Sequence, residues 1–67
     1  MTGNTFGNNL KDLRITNRMT QTELATIMNV NAVTICHWEK GHQEPCLDDI
    51  KKLSKFFKVS CDFLLGV

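Results

Sequence analysis

TQTELATIMNVNAVTICHWEK, residues 20–40, holds two short helical patterns on either side of a polar break. Thr20 stands where an N-cap is needed. Glu23 follows three residues on, the spacing of a capping box in which each residue satisfies a free backbone N–H of the other. Leu24, Ala25 and Met28 recur at the interval that lines one face of a helix. Asn29-Val30-Asn31 then interrupts the run, and Asn29 tolerates a positive φ better than most residues. Asn31 is placed to cap a second helix over 32–40, and Gly41 to end it in the left-handed conformation.

The flanking sequence reads the same way. A helix over 6–17, with Thr5 as its cap, puts Phe6, Leu10 and Leu13 on one face. GHQEP at 41–45 is a break. A helix over 47–57 has Leu47, Ile50, Leu53, Ser54 and Phe57 in register, and Ser60 caps a last short helix ending near Leu65. The 67 residues include one proline and no alternating run long enough for a sheet. The expectation is an all-α, compact five-helix bundle forming a single domain over 1–67, with its core between 6 and 65. Burial is marginal at this size, so the few large apolar residues must pack efficiently. There is no room for a second domain to bind an effector.

No apolar stretch approaches the length of a membrane span. MTGNTFGNNL, residues 1–10, has neither the basic start nor the apolar centre of a leader, which points to the cytoplasm. Cys36, Cys46 and Cys61 make an odd count, unlike a disulfide framework, and are read as reduced thiols.

Two helices joined by a short turn form a helix-turn-helix, whose usual task is to set its second helix in the DNA major groove. At about 100° per residue, Ile35 and Trp38 share one side of helix 32–40, flanked by Thr34 and Glu39. Ala32, Val33, Cys36, His37 and Lys40 collect on the opposite arc. A solvated face is ordinarily rich in Glu, Lys and Arg, whereas this one carries compact side chains that allow close approach to another surface. An ordinary exposed face is the alternative. Trp38 is read as core rather than as a base-stacking ring.

The order and spacing of LKDLR at 10–14, MTQTELA at 19–25, TICHWEKG at 34–41, Pro45 and VSCDFLL at 59–65 resemble the lambda-repressor-like helix-turn-helix domains of the Cro/cI, xenobiotic-response-element type. Such domains occur in phage and bacterial regulators. The resemblance covers nearly the whole chain. It implies a five-helix bundle that binds double-stranded DNA, as a homodimer on a pseudo-palindromic operator. By position it implies base reading by Ala32, Val33, Cys36 and His37. Phosphate contacts fall to Gln21, which also braces the recognition helix, and to Asn31, Lys40 and His42; a structural ion pair falls to Arg14 and Glu39.

The residues' own chemistry adds detail. Ala32 and Val33 can pack on a thymine methyl, and His37 can donate to guanine or accept from adenine's amino group. Glu39 lies toward the core arc, where a forked contact with Arg14 would fix the recognition helix. Phe56, Phe63 and Leu65 are candidates for the dimer surface, the alternative being that the core takes them all. Lys51, Lys52, Lys55 and Lys58 read as the solvated face of helix 47–57 rather than a second DNA contact.

Charge argues for restraint. The net charge is +1. Residues 1–45 balance Lys11, Arg14, Arg18 and Lys40 against Asp12, Glu23, Glu39 and Glu44, so electrostatic pull on DNA is modest. That near-neutrality supports a second reading, a protein-interaction module of the same fold. Cys36, His37, His42 and Cys46 lack zinc-finger spacing and are assigned no metal. Cys36 on the reading face would disturb DNA contact if oxidised, and Cys46 sits near a helix start; both are taken first as small residues. With no glycine-rich phosphate loop, no Gly-x-Ser-x-Gly turn and no paired carboxylates in a cleft, no catalytic residue and no cofactor is assigned. Control then falls to concentration, dimerisation or a protein co-regulator.

Overall fold

Helices shorter than about twelve residues are marginal alone in water, so caps and mutual packing decide where each one lies. The computed structural model describes residues 5–67; residues 1–4, the start of the stretch read as carrying no leader, lie outside the described residues. The described chain forms α1 (Thr5–Thr16), α2 (Gln21–Met28), α3 (Ala32–Lys40), α4 (Leu47–Phe57) and α5 (Cys61–Leu65). Thr5 is the first helical residue of α1 rather than its cap. At the other end Asn17 donates twice to Leu13 O, from its backbone N at 3.1 Å and from Nδ2 at 2.7 Å, and closes the helix one residue early.

The helix-turn-helix is defined by its ends. Thr20 and Glu23 make the reciprocal capping box, with Glu23 N to Thr20 Oγ1 at 3.0 Å and Thr20 N to Glu23 Oε1 at 2.8 Å. Asn29 adopts φ 60°, ψ 44° and donates to the last turn of α2. Val30 N then reaches back to Ala25 O at 3.0 Å, the Schellman closure that turns the chain sharply into α3. Asn31 occupies the N-cap position of α3, but its side chain makes no capping hydrogen bond and is exposed. Its carbonyl alone receives the first helical bonds, from Thr34 and Ile35.

All five helices contribute to one core: Leu10 from α1; Leu24, Ala25 and Met28 from α2; Ile35 and Trp38 from α3; Ile50 and Leu53 from α4; Leu64 from α5. Phe6 closes one side with its ring edge-on to Trp38, centroids 6.4 Å apart. Leu47 departs from the expected register and is 64% exposed. It lies about 90° around α4 from the midpoint of Ile50 and Leu53, too far to follow them inward.

α5 is held to α1 by its carbonyls and by close backbone approach. Asn9 Nδ2 donates to Phe63 O at 2.9 Å and Leu64 O at 3.3 Å. Gly66 ends α5 at φ +78°, and a Cβ there would lie 2.2 Å from Thr5 Cγ2. Gly66→Ala is therefore expected to lower unfolding free energy by about 1–2 kcal/mol, through backbone strain and the clash with Thr5. Thr5→Ser in the same chain should recover part of the loss, since the φ cost and a tight 3.1 Å approach to the Cβ of residue 5 then remain. Thermal and urea denaturation of the three variants checks both statements.

Candidate nucleic-acid interface

α3 is fixed from behind by one buried carboxylate. Glu39, with its side chain 4% exposed, faces Arg14, 12% exposed. Arg14 Nε donates to Glu39 Oε2 at 2.6 Å and Nη2 to Oε1 at 3.1 Å, the bidentate fork that best matches the two planar groups. The third guanidinium nitrogen, Nη1, donates to Met19 O at 2.8 Å. Gln21 Nε2 adds a bond to Glu39 Oε1 at 3.1 Å. One carboxylate thus ties α1, the start of α2 and α3 together.

Hydrogen bonding to Glu39 raises Arg14 above the ordinary guanidinium value; burial opposes this and the charge of Glu39 adds to it. A cation whose folded pKa is raised stabilises the fold below its unfolded value and loses that contribution only as pH climbs past the folded one. For a guanidinium that window lies far above neutral pH, so the Arg14 charge contributes evenly around neutrality.

The side of α3 opposite this network is open. Val33 is 61% exposed and Lys40 is exposed, while Cys36 and His37 are half-buried. Ala32 is different: it packs against the core. On the helical wheel it stands about 20° from Glu39, so it borders the buried side although the outward arc includes it. The outward surface is carried by Val33, Cys36, His37 and Lys40.

Among the residues assigned to phosphates, Asn31 and His42 are exposed. Gln21 is half-buried, and one hydrogen of its amide is engaged by Glu39. The rings of His37 and His42 stand 5.9 Å apart between centroids, a proximity the sequence reading did not foresee. Its signal was available: a glycine in left-handed conformation at a helix end folds the following residue back over the last turn. Gln21 was expected by likeness to brace α3; its partner, Glu39, was not foreseen, because eighteen positions of separation leave no periodic trace.

Phe56, Phe63 and Leu65 are all exposed. Phe63 and Leu65 are about 200° apart on α5 and point to different sides. Leu65 lines a shallow groove with Phe6, Trp38 and Pro45. Phe56 meets Phe57 edge-on, centroids 4.9 Å apart. Cys46 is exposed at the start of α4, where Asp49 Oδ2 accepts from its thiol at 3.1 Å. Among the described residues no group of three or more His, Cys, Asp or Glu side chains is arranged to hold a metal.

Known proteins share this fold. A family model described as helix-turn-helix, HTH_3, matches residues 10–64. The HTH-type transcriptional activator BcrR of Enterococcus faecalis is 38% identical over 61 residues, which make up 91% of this chain and 30% of that protein. The chain spans only 30–49% of the length of the curated relatives it matches. The crystal structure of the P22 c2 repressor protein in complex with synthetic operator 9T superposes with a TM-score of 0.84 at 30% identity, covering 90% of this chain and 91% of that one. Hydroxypropylphosphonic acid epoxidase from S. wedmorenis superposes with a TM-score of 0.83 at 25% identity, over 92% of this chain and 33% of the enzyme.

The geometry makes Glu39 sensitive to change. Glu39→Ala leaves Arg14 without its partner in a largely buried setting and is expected to cost about 3 kcal/mol or more. Replacing Arg14 and Glu39 together by Met and Leu should cost distinctly less than Glu39→Ala alone. Chemical denaturation of the single and paired variants reads both, and an unchanged melting temperature for Glu39→Ala counts against the pair as a fastening of α3.

Proposed function

The chain belongs to the helix-turn-helix family HTH_3, and from that membership we propose that it is a sequence-specific, repressor-like DNA-binding regulator of transcription. It acts without catalysis, by setting α3 in the major groove. The observation that carries the reading is the rigidly backed, outward face of α3, on which Val33 and Lys40 stand free while Glu39 anchors the opposite side. The likeness to the P22 c2 repressor on its operator supports the same docking. The match to BcrR, an activator, supports the coarser role of regulator.

Under this reading Val33 packs on a thymine methyl, His37 and Cys36 face base edges, and Ala32 lets the helix backbone come close. Lys40, Asn31 and His42 meet phosphates. Gln21 meets a phosphate while bracing Glu39. Two copies bind two half-sites about one helical turn, roughly 34 Å, apart. Phe56 and Phe63 are the apolar groups we assign to the dimer contact, with Leu65 at its margin. A protein co-regulator is a further candidate partner.

Among the described residues no helix is long and apolar enough to cross a membrane. We place the protein in the cytoplasm of a bacterium or of a phage-infected cell. The alternative, an interaction module that does not engage DNA, draws on the net charge of +1.

Selection from a random duplex pool, followed by titration at several salt concentrations, separates the two. A regulator yields two-fold-symmetric sequences and a log affinity that falls by about 0.9 per phosphate neutralised for each unit of log salt. An interaction module yields neither. Lys40→Gln should weaken all sequences alike and reduce that slope by about one, whereas Val33→Ala should relax the preference at one base position.

A further inference from the structure

His37 lies in the last turn of α3 and His42 just past its glycine cap. Their spacing is set by the backbone. Gly41 holds φ 79°, and His42 N donates to His37 O at 2.9 Å, which folds the loop back over the helix end. The two rings are tilted by 51° to one another, with centroids 5.9 Å apart. The carbonyl end of a helix favours positive charge. Fixed positive charge is scarce on this helix, where Lys40 is the only lysine or arginine of AVTICHWEK. One proton on each of the two histidines would take the whole chain from +1 to +3.

We propose that His37 and His42 form a phosphate clamp that takes up protons when DNA binds, so that the protein grips its operator more tightly as pH falls. This rests on the DNA-binding reading and moves His37 from the base edge, where family likeness sets it, to the phosphate that His42 meets. Two imidazolium rings this close repel one another in the free protein. A phosphate oxygen reached by an in-plane N–H of each ring replaces that repulsion with two charge-assisted hydrogen bonds, each imidazolium donating. The complex therefore holds more protons than the free components, and by linkage its affinity rises as pH falls through the range where imidazoles titrate.

The charged surroundings are sparse. α1 and α2 pack against α3. α1 brings Lys11, Asp12 and Arg14, α2 brings Glu23, and Arg18 lies between them. Arg14 is engaged by Glu39 and Met19 O, and Glu23 by Thr20 N. On the His pair's own side, Lys40 and Glu44 are the charged neighbours in sequence, and both are exposed.

The test uses the tightest duplex from the random pool, titrated by fluorescence anisotropy at constant ionic strength between about pH 6 and about pH 8, a range in which an imidazole changes charge and a carboxylate does not. Binding should be at least about threefold tighter at the lower pH, each proton taken up contributing at most about tenfold per pH unit. In the double variant His37→Gln/His42→Gln, and in His42→Gln alone, each shown to be folded by circular dichroism, binding should weaken and the ratio of affinities at the two pH values should fall toward one. Salt-dependent binding by the wild type that does not vary with pH overturns the proposal. So does a dependence that the folded double variant retains. Failure of the wild type to bind any duplex at any pH or salt instead overturns the DNA reading itself, and this proposal with it.

Discussion

The carboxylate of Glu39 accepts from Arg14 at 2.6 and 3.1 Å and from Gln21 at 3.1 Å, in a position only 4% exposed. A charge buried to that degree is tolerated only when its partners have good geometry and its remaining lone pairs are occupied. Meeting that demand requires α1 to present Arg14, α2 to start at Gln21 and α3 to hold one rotation about its axis. The rotation is what matters at the surface. With Glu39 turned in, Val33 and Lys40 have no choice but to turn out. Arg14 also donates to Met19 O, so the chain between α1 and α2 is fastened by the same side chain.

Such short helices need their ends defined with equal care. Arg18, Asn29 and Lys58 all hold positive φ near 60° without being glycine. Each stands at a reversal between helices, where a left-handed residue lets the carbonyls of the last turn find donors. Asn29 bears this readily; Arg18 and Lys58 do so because adjacent anchors leave no alternative. Met19 N returns to Arg14 O at 3.0 Å, and Val59 N to Ser54 O at 3.1 Å. Met19, Val30 and Val59, the residues that follow these three, all pack against the core. A left-handed residue followed by an apolar one is thus the recurring device by which this chain turns a corner and seals it.

The proposed interface follows from the same economy. A chain of net charge +1 has little long-range attraction to a polyanion, so recognition must draw on close contact. Compact side chains on α3 suit that task, because they let the helix backbone approach base edges and phosphates. The exposed phenylalanines on α4 and α5 suit a contact between copies, which doubles the number of groove contacts without adding charge to either.

Helix positions were legible because their signals are local. Thr20, Glu23, Asn29, Gly41 and Ser60 mark ends through bonds that reach only a few residues, so α2, α3, α4 and α5 read directly from the chain. The start of α1 was misplaced because Thr5 reads equally well as a cap or as a first helical residue. Leu47 was misplaced because a periodic pattern does not say where on the wheel the core is centred. Ala32 shows the same limit, since its burial depends on what stands opposite and not on its own helix. The Arg14–Glu39 pair and a bracing role for Gln21 were expected chiefly from likeness to other domains; that Gln21 braces through Glu39, and that Met19 O joins the network, was not. What the sequence determined by itself is the set of helices and the two faces of α3, because capping and periodicity are short-range. Which partners surround Glu39, and how near His37 comes to His42, were settled only when the helices packed, because distance across a fold depends on every turn between its ends.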